Sequence, residues 1–215
     1  MTCRHCEDAG EFFGEGVARR ETKRYRRRGP SRSTRILLDA LRDQGVEGAT
    51  FLDIGGGIGA VQQELLAAGA VGGVGIDASP AYLAAARSEA VRRGTADRLR
   101  FHQGDAVELA GDLPETDIVT LDRVLCCYPD LEALVSVSCG RSRRLWGAVI
   151  PTERWWVRLG GRVLNGLQAL RGDAFRLYLH GISRIEAAVE EEGFRIVASE
   201  RTWLWEIRVF VRVRP

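Results

Sequence analysis

Long hydrophobic runs are missing from this 215-residue sequence, and no apolar stretch approaches the roughly 20 residues that a membrane-spanning helix needs. Cysteine is scarce at five residues, and an odd number that includes an adjacent pair argues against a disulfide framework. The first residues combine cysteines, a histidine and acids, which is not the composition of a secretory signal peptide. We therefore expect a cytoplasmic protein with no transmembrane segment.

Clusters of metal ligands are also scarce. Cys3 and Cys6 have a spacing that suits zinc, but a structural zinc needs four ligands and no second pair with comparable spacing follows. The sequence therefore predicts no metal site, and a disordered, metal-free N-terminus.

The formal net charge of +2 conceals an uneven distribution of charge. Residues 1–35 hold ten Arg and Lys residues against five Asp and Glu residues, whereas the remainder is slightly acidic. We interpret residues 1–45 as a basic N-terminal arm with a cap helix, and residues 46–215 as one domain that can bury a full core. The basic run Arg19–Arg28 is either a solvated face or a contact for an anionic substrate, an acidic membrane or RNA.

A glycine-dense turn lies between a short apolar segment and a helical one. Residues 50–54 are predicted as a strand, Gly55, Gly57 and Gly59 follow at alternate positions, and residues 60–68 have helical composition. Such a turn brings main-chain N–H groups and the positive end of a helix to one point, and glycine lets a ligand approach bare backbone. The stretch therefore predicts a nucleotide pocket.

Asp53 indicates which nucleotide this pocket prefers. Gly55, Gly57 and Ala60 satisfy the G-x-G-x-x-G/A spacing of dinucleotide-binding folds, so an NAD(P)-dependent oxidoreductase is one alternative. A carboxylate at the strand tip would repel a pyrophosphate on the helix end and would favour a cationic ligand. S-adenosylmethionine meets that requirement, because it has no phosphate and carries an ammonium and a sulfonium group.

The same stretch resembles motif I of the class I S-adenosylmethionine-dependent methyltransferases, in which an acid, one residue and three alternate glycines follow each other. The matching residues are Asp53, Gly55, Gly57 and Gly59. The resemblance implies an α/β fold in a single domain, with a Rossmann-like seven-stranded sheet that is mostly parallel and has an antiparallel last strand. It also implies S-adenosyl-L-methionine as cofactor, a small-molecule methyl acceptor, and a monomer or homodimer.

Further acids follow the next predicted strands. Asp77 lies about 20 residues beyond the glycine turn, a position from which an acid can accept both ribose hydroxyls. By resemblance to the family, Asp105 would take the adenine amino group and the N–H of Ala106 would meet the ring nitrogen. Ala78 and Asp122 complete the predicted cofactor-binding residues.

Candidate catalytic residues follow from the chemistry of methyl transfer. The reaction is an in-line displacement, so the protein mainly aligns the reactants; a hydroxyl acceptor also needs a base, whereas a carboxylate does not. His180 is predicted as that base, with ordinary packing against a strand as an equally weighted alternative. Tyr128 is the second predicted catalytic residue, and Asp130 is a further candidate. Leu121-Asp122-Arg123 lacks the Asn/Asp/Ser-Pro-Pro-aromatic signature of many amino-methylating DNA and RNA enzymes, which disfavours base methylation.

A closer resemblance, weaker per residue, is to the magnesium-protoporphyrin O-methyltransferases. Residues 121–129 resemble their motif after the fourth strand, and residues 177–180 resemble their C-terminal part. Cys127 stands where that group commonly has a histidine, which argues against a porphyrin carboxylate as acceptor. We predict an O-directed methyltransferase acting on an anionic or aromatic small molecule. The alternatives are the NAD(P) enzyme and an RNA-directed methyltransferase or RNA-binding module that uses the basic arm, although nucleic acid is not favoured.

Residues 151–179 are predicted as an insertion on the substrate side of the domain. Its apolar residues recur at helical spacing: Trp156, Leu159, Val163, Leu167 and Leu170. This pattern predicts an amphipathic helix packed on the core in preference to one lying on a membrane surface. A capping box at Ser183–Glu186 predicts the start of the last helix, and the two final strands are expected to pair antiparallel.

Overall fold

The computed structural model describes residues 12–171 and 175–213, which form one seven-stranded sheet with helices against both faces. The strands are β1 (Thr50–Ile54), β2 (Gly72–Asp77), β3 (Leu99–Gln103), β4 (Thr116–Asp122), β5 (Ser142–Pro151), β6 (Phe194–Arg201) and β7 (Trp205–Arg212). The helices are α1 (Glu15–Arg28), α2 (Arg32–Asp43), α3 (Ala60–Ala67), α4 (Pro80–Arg93), α5 (Leu131–Gly140), α6 (Trp155–Arg171) and α7 (Ile182–Glu191). None of the helices in these ranges combines the length and hydrophobicity that crossing a bilayer requires.

The strand order is β3-β2-β1-β4-β5-β7-β6. The first five strands of that order are parallel, and β7 is antiparallel to both β5 and β6. The prediction of a mostly parallel α/β sheet with an antiparallel last strand is therefore confirmed. The chain reverses its direction of travel across the sheet between β1 and β4, and in such folds ligands bind beyond the carboxyl ends of the strands at that point.

Alternate side chains of the central strands enter two separate hydrophobic cores. Leu52 and Val119 contribute to one core, together with α5 and α7, whereas Phe51 and Ile118 contribute to the other, together with α2 and α3. Both faces of the parallel strands are consequently buried. This explains why β1 carries adjacent apolar residues instead of alternating apolar and polar ones.

The basic N-terminal segment is a helix that packs against α4. Tyr25 of α1 is buried, and its hydroxyl donates to Glu64 at 2.9 Å. Arg26 pairs with Glu89 at 2.8 Å, so part of the positive charge of α1 is neutralised within the protein. Cys3 and Cys6 lie outside the described residues. The prediction of a metal-free terminus therefore stays a prediction.

The prediction of a capping box at Ser183–Glu186 is wrong. Helix α7 begins at Ile182 with Gly181 at the N-cap, which places Ser183 inside the first turn. Glu186 forms an ion pair with Arg208 of β7 and is therefore directed at the sheet. The ion pair explains why this acid does not fold back onto the helix end as a capping box requires.

Residues 151–179 contain the expected helix, α6, but the prediction that its apolar stripe packs on the core is wrong. Leu159, Val163 and Leu167 are 52%, 54% and 48% exposed. The opposite side of α6, which includes Gly161 and Gln168, is buried against the protein. A small residue at 161 permits this close approach, since a Cβ there would lie 3.2 Å from the side chains of residues 177 and 179.

Candidate functional site

A cavity of about 400 Å³ opens beyond the carboxyl ends of β1, β2 and β4 and reaches α1 and α6. This volume is within the range of small-molecule binding pockets. Five carboxylates line it: Glu21, Asp53, Asp77, Asp105 and Asp122. Arg123 is the single cationic side chain among its lining residues in the described part of the chain. The excess of negative charge favours a cationic ligand.

Positive backbone angles explain the glycines of the turn after β1. Gly55, Gly57 and Gly59 have φ angles of 63°, 53° and 79°. A Cβ on Gly55 would lie 2.4 Å from a methyl group of Val124, whereas a Cβ on Gly57 would meet nothing within 4 Å. Gly57 therefore presents bare backbone beneath open space. Gly59, although predicted as a cofactor-binding residue, does not line the cavity and instead provides the N-cap of α3.

Asp53 borders the cavity from beneath this turn and is only 1% exposed. Thr120 Oγ1 donates to its Oδ1 at 2.7 Å, and Gln62 Nε2 donates to its Oδ2 at 3.2 Å. Burial raises the pKa of Asp53 to about 7, while these two hydrogen bonds act in the opposite direction. The hydrogen bonds of this carboxylate are therefore made to the protein, and its charge lies directly below the turn.

Asp77 ends β2 on the other side of the turn. Its Oδ2 accepts from the Gly57 N–H and its Oδ1 from the Ser79 N–H, both at 2.8 Å. Each carboxylate oxygen keeps further acceptor capacity, because it has two lone pairs. Burial raises the pKa of Asp77 to about 6, against the effect of the two N–H groups. Ser79 caps α4 with its own side chain, and Ala78 lines the cavity.

Asp105 and Tyr128 meet at one wall of the cavity. The Tyr128 hydroxyl donates to Asp105, at 2.9 Å from Oδ2 and 3.1 Å from Oδ1. The Val107 N–H also donates to Asp105 Oδ1, at 2.8 Å, and the adjacent Ala106 is a buried lining residue. Because the Tyr128 proton is directed at a carboxylate, this tyrosine is associated with Asp105, which is one of the predicted cofactor-binding acids.

His180, predicted as the catalytic base, does not line the cavity. Its Nε2 lies 2.8 Å from the Tyr128 carbonyl oxygen, and since a carbonyl only accepts, Nε2 is the donor. The histidine therefore supports the backbone of Tyr128. Asp130, the further candidate, also lies away from the cavity and caps α5 by accepting from the Ala133 N–H.

Hydrogen bonds link the segment from Phe175 to His180 both to α6 and to the loop that follows β4. The Tyr178 N–H donates to the Cys126 carbonyl at 2.7 Å. Asn165 of α6 holds Leu177 by two bonds: its Nδ2 donates to the Leu177 carbonyl at 2.9 Å, and its Oδ1 accepts from the Leu177 N–H at 2.8 Å. Hydrogen bonds thus tie α6 to the cavity wall.

Asp122, at the end of β4, lies between two donors. Thr34 Oγ1 donates to its Oδ2 at 2.6 Å, and Arg123 Nε donates to its Oδ1 at 3.0 Å. Arg123 has a φ of 66°, in the left-handed region that costs free energy for a side chain of this size, and such backbone strain clusters at functional sites. Motif spacing pointed to neither Thr34 nor Arg123, because their contact with Asp122 depends on the folded chain.

Two adjacent thiols also line the cavity. The sulfur atoms of Cys126 and Cys127 lie 3.8 Å apart. Their mutual hydrogen bond lowers the pKa of Cys127, with help from the charge of Arg123, and raises the pKa of Cys126. A thiol with a lowered pKa is a better nucleophile at neutral pH. No group of three or more His, Cys, Asp or Glu side chains suited to a metal ion occurs among the described residues.

Aromatic residues before α1 close one side of the cavity. Phe12 and Phe13, which we call the lid, line it, and the ring of Phe12 stacks on Phe175 at 4.6 Å between centroids. The Ser79 hydroxyl fixes the lid by donating to the Phe13 carbonyl at 2.7 Å. Tyr25, further along the N-terminal segment, does not line the cavity.

Comparison with known proteins shows what the segment around this cavity resembles. Residues 51–138 match a family model described as a methyltransferase domain. Over these residues the chain is similar to methyltransferase domains. Ribosomal protein L11 methyltransferase from Enterobacter sp. (strain 638) is 32% identical to the chain over 108 residues, covering 49% of this chain and 35% of that protein. The chain therefore matches about a third of the length of that curated relative.

Solved structures share the fold of this chain over most of its length. Magnesium protoporphyrin IX methyltransferase (ChlM) from Synechocystis PCC 6803 has a TM-score of 0.73 at 21% identity, covering 95% of this chain and 98% of its own. An O-methyltransferase family protein from Burkholderia thailandensis has a TM-score of 0.67 at 16% identity, covering 91% of this chain and 59% of its own. At these identities the likeness shows the fold alone.

The residues around the cavity fit S-adenosylmethionine. Its ammonium and sulfonium groups are cationic, and the lining supplies five carboxylates against one guanidinium. Gly57 leaves space over the turn, and Asp77 ends the neighbouring strand. A diphosphate would meet the same carboxylates, and Arg123 is already paired with Asp122, so the charge of the site disfavours the NAD(P) alternative.

We expect Asp53→Asn to change how stability depends on pH. The pKa of Asp53 in the folded protein, about 7, lies above its ordinary value of 3.8, so the stabilising contribution is complete below about pH 4 and is lost as pH rises through 7. The free energy of unfolding of the wild type should therefore fall relative to the variant between pH 4 and pH 8. The relative loss should reach at most about 4 kcal/mol, since one pKa unit corresponds to about 1.4 kcal/mol.

Urea unfolding at several pH values measures this difference. Asp97→Asn, at an exposed position outside the cavity, is the matched control and should follow the wild type at every pH. Parallel curves for the wild type and Asp53→Asn would show that Asp53 titrates normally.

Proposed function

We propose that this protein transfers a methyl group from S-adenosylmethionine to an oxygen atom of an aromatic small molecule. The main support for the proposal is the number of aromatic side chains in the cavity wall. The whole chain has only seven Phe, five Trp and four Tyr, yet six of these residues line the cavity. They are Phe12, Phe13, Tyr82, Tyr128, Phe175 and Trp205. Such side chains bind flat rings by stacking and edge contacts.

An aromatic acceptor has more support than an anionic one. Arg123 is the one cation among the described lining residues, and its guanidinium is already bonded to Asp122. An anionic acceptor would therefore meet a surplus of carboxylates without a free positive partner. A neutral ring with a hydroxyl group avoids this repulsion and can donate its hydrogen bond to a carboxylate.

Two of the lining carboxylates would hold the cofactor in this proposal. Asp77 would accept the ribose hydroxyls, and Asp105 with the Ala106 N–H would hold the adenine edge. When bound, S-adenosylmethionine supplies a methyl group that its sulfonium has already activated. Phe12 and Phe13 exclude water from the reacting groups, which strengthens the electrostatic effect of the carboxylates.

Asp122 is the residue that we propose to hold the acceptor hydroxyl. It lies at the end of β4, and the bonds from Thr34 and Arg123 fix its orientation. No histidine lines the cavity in the described part of the chain, and the ionised carboxylates are the lining side chains that accept a hydroxyl hydrogen bond without donating one. Tyr128 has a supporting role, because its hydroxyl donates to Asp105. His180 also has a supporting role, because it donates to the Tyr128 carbonyl.

RNA methylation is the second candidate, because α1 presents exposed basic residues. Arg19, Lys23, Arg26 and Arg27 border a shallow groove beside α4. Arg26 is paired with Glu89, which reduces the charge available to a phosphate backbone. This candidate predicts methyl incorporation into RNA that falls steeply with salt concentration.

Methyl incorporation from labelled S-adenosylmethionine tests the acceptor class directly. We expect label in hydroxylated aromatic compounds and none in their methoxy counterparts, which lack the transferable proton. Carboxylated macrocycles, quinones and RNA are the other members of the panel. Incorporation confined to RNA would replace the proposal with its alternative, and incorporation confined to carboxylates would exclude an aromatic hydroxyl as acceptor.

Asp77→Ala should weaken S-adenosylmethionine binding by about 1–3 kcal/mol, because the ribose hydroxyls lose their acceptor. Isothermal titration measures the dissociation constant, with NADH as a comparison ligand. Asp97→Ala, at an exposed position away from the cavity, should bind like the wild type. Equal affinity in all three proteins, or tight binding of NADH alone, would refute the assignment of the cofactor site.

His180→Ala distinguishes a base from a positioning residue. We expect the variant to bind S-adenosylmethionine several-fold more weakly while the pH profile of kcat keeps its shape, because the ring acts through Tyr128. His180→Gln should restore affinity, since an amide N–H can donate to the same carbonyl. Loss of one limb of the pH profile in both variants would return His180 to the role of base.

A further inference from the structure

The outer face of α6 carries a continuous apolar surface, which we call the outward stripe. Its members are Trp155, Leu159, Val163, Leu167 and Leu170, and they are between 48% and 86% exposed. Their spacing of three or four residues places them on one side of the helix. Isolated exposed apolar residues are ordinary, but a contiguous row of five along one helix marks an interaction site.

The inner face of α6 explains why the stripe points outward. Gly161 approaches the segment that follows the helix, and Asn165 is bonded to Leu177 through both atoms of its amide. Gln168, also on this face, is buried. These contacts fix the rotation of the helix about its axis, so the stripe cannot turn into the core without breaking them.

Positive charge accompanies the stripe. From residue 154 to residue 171 the sequence contains four arginines and no acid. Arg154, Arg158 and Arg162 are exposed. Arg158 and Arg162 fall beside the stripe on the helical wheel, so their guanidinium groups can lie at the level where the apolar face ends.

Tryptophan is concentrated near the N-terminal end of α6. Trp155 begins the stripe, and the ring of Trp156 packs against Trp203 at 4.8 Å between centroids. Trp203, in the turn between β6 and β7, is 68% exposed. Three of the five tryptophans in the chain therefore lie at one edge of this surface. Tryptophan is the residue most typical of the boundary between water and lipid.

We propose that α6 docks in the plane of an anionic lipid bilayer, with the outward stripe in the acyl region and the arginines at the phosphate level. An amphipathic helix that combines an aliphatic face, tryptophan and flanking arginine binds membranes in this way. The proposal concerns where the protein works and is independent of the acceptor proposed above. Leu164 of the same helix lines the cavity, so docking would place the cavity wall next to the membrane surface.

The charge of this surface favours an anionic bilayer over a second copy of the chain and over RNA. A second copy of the chain, packed about a twofold axis on this face, would bring the arginines of two helices together without an acid from either helix. RNA would be attracted by the arginines, but aliphatic side chains in the stripe provide no surface for base stacking. An anionic bilayer satisfies both the apolar and the basic components.

Co-sedimentation of the full chain with vesicles tests the proposal. We expect binding to vesicles that contain phosphatidylserine, at least tenfold tighter than to vesicles of phosphatidylcholine alone, and weaker binding at high salt. Leu159→Glu combined with Leu167→Glu should remove binding. The matched control is Val91→Glu, which changes an apolar residue that is 70% exposed on α4, and it should bind like the wild type.

A second pair of variants separates the two basic surfaces. Arg158→Gln with Arg162→Gln should weaken binding to the anionic vesicles roughly 10- to 30-fold, whereas Arg19→Gln with Lys23→Gln on α1 should leave it unchanged. Each variant is first shown to keep the melting temperature and the S-adenosylmethionine affinity of the wild type. A misfolded variant is thereby distinguished from one that has lost its membrane contact.

Three results would overturn the proposal. The first is absence of binding to either kind of vesicle. The second is binding that depends on Arg19 and Lys23 and is indifferent to Leu159 and Leu167. The third is a dimer in sedimentation velocity that Leu159→Glu dissociates, together with no vesicle binding, since a second copy would then cover the stripe. None of these measurements depends on methyl transfer, so the membrane proposal and the proposed function can fail separately.

Discussion

The buried contact between Asp53 and Gln62 is the interaction on which the site depends. A Cβ on Gly56 would lie 2.4 Å from Gln62 Nε2 and 2.7 Å from Asp53 Oδ2, and a Cβ on Gly75 would lie 2.4 Å from the same nitrogen. Glycine is therefore needed both in the turn and in β2 for the carboxylate and the amide to fit below the backbone. A carboxylate buried in this way has a high desolvation cost. A positive ligand above the turn would reduce that cost, whereas a phosphate would increase it.

Parallel strands convert this local arrangement into a binding site. Asp53, Asp77 and Asp122 are far apart in the sequence, but their strands end at the same edge of the sheet, and each carboxylate is oriented by donors from another segment. Thr34 performs this function from α2, and Gly57 performs it from the turn. Because every acid has a fixed direction before a ligand arrives, the site loses little conformational freedom on binding.

Local patterns in the sequence were sufficient for the elements that carry the acids, since β1 occupies residues 50–54 as predicted from its apolar composition and the following glycines. They were insufficient for α6, because helical periodicity identifies an apolar side without indicating what covers it. His180 shows a similar limit: a ring that supports a carbonyl group and a ring that removes a proton have the same sequence signal. Arg123 was missed because its importance arises from a backbone angle and from contacts made only in the folded chain.

The hydrogen bonds of Asn165 have a consequence for communication across the molecule. Asn165 holds Leu177, the next residue is bonded to the backbone of Cys126, and His180 holds the carbonyl of Tyr128, whose hydroxyl contacts Asp105. Hydrogen bonds, together with the backbone between the bonded residues, thus connect a surface helix with a carboxylate inside the cavity. By thermodynamic reciprocity, if a binding event at this helix changes ligand affinity inside the cavity, ligand occupancy changes the affinity of the surface event by the same factor.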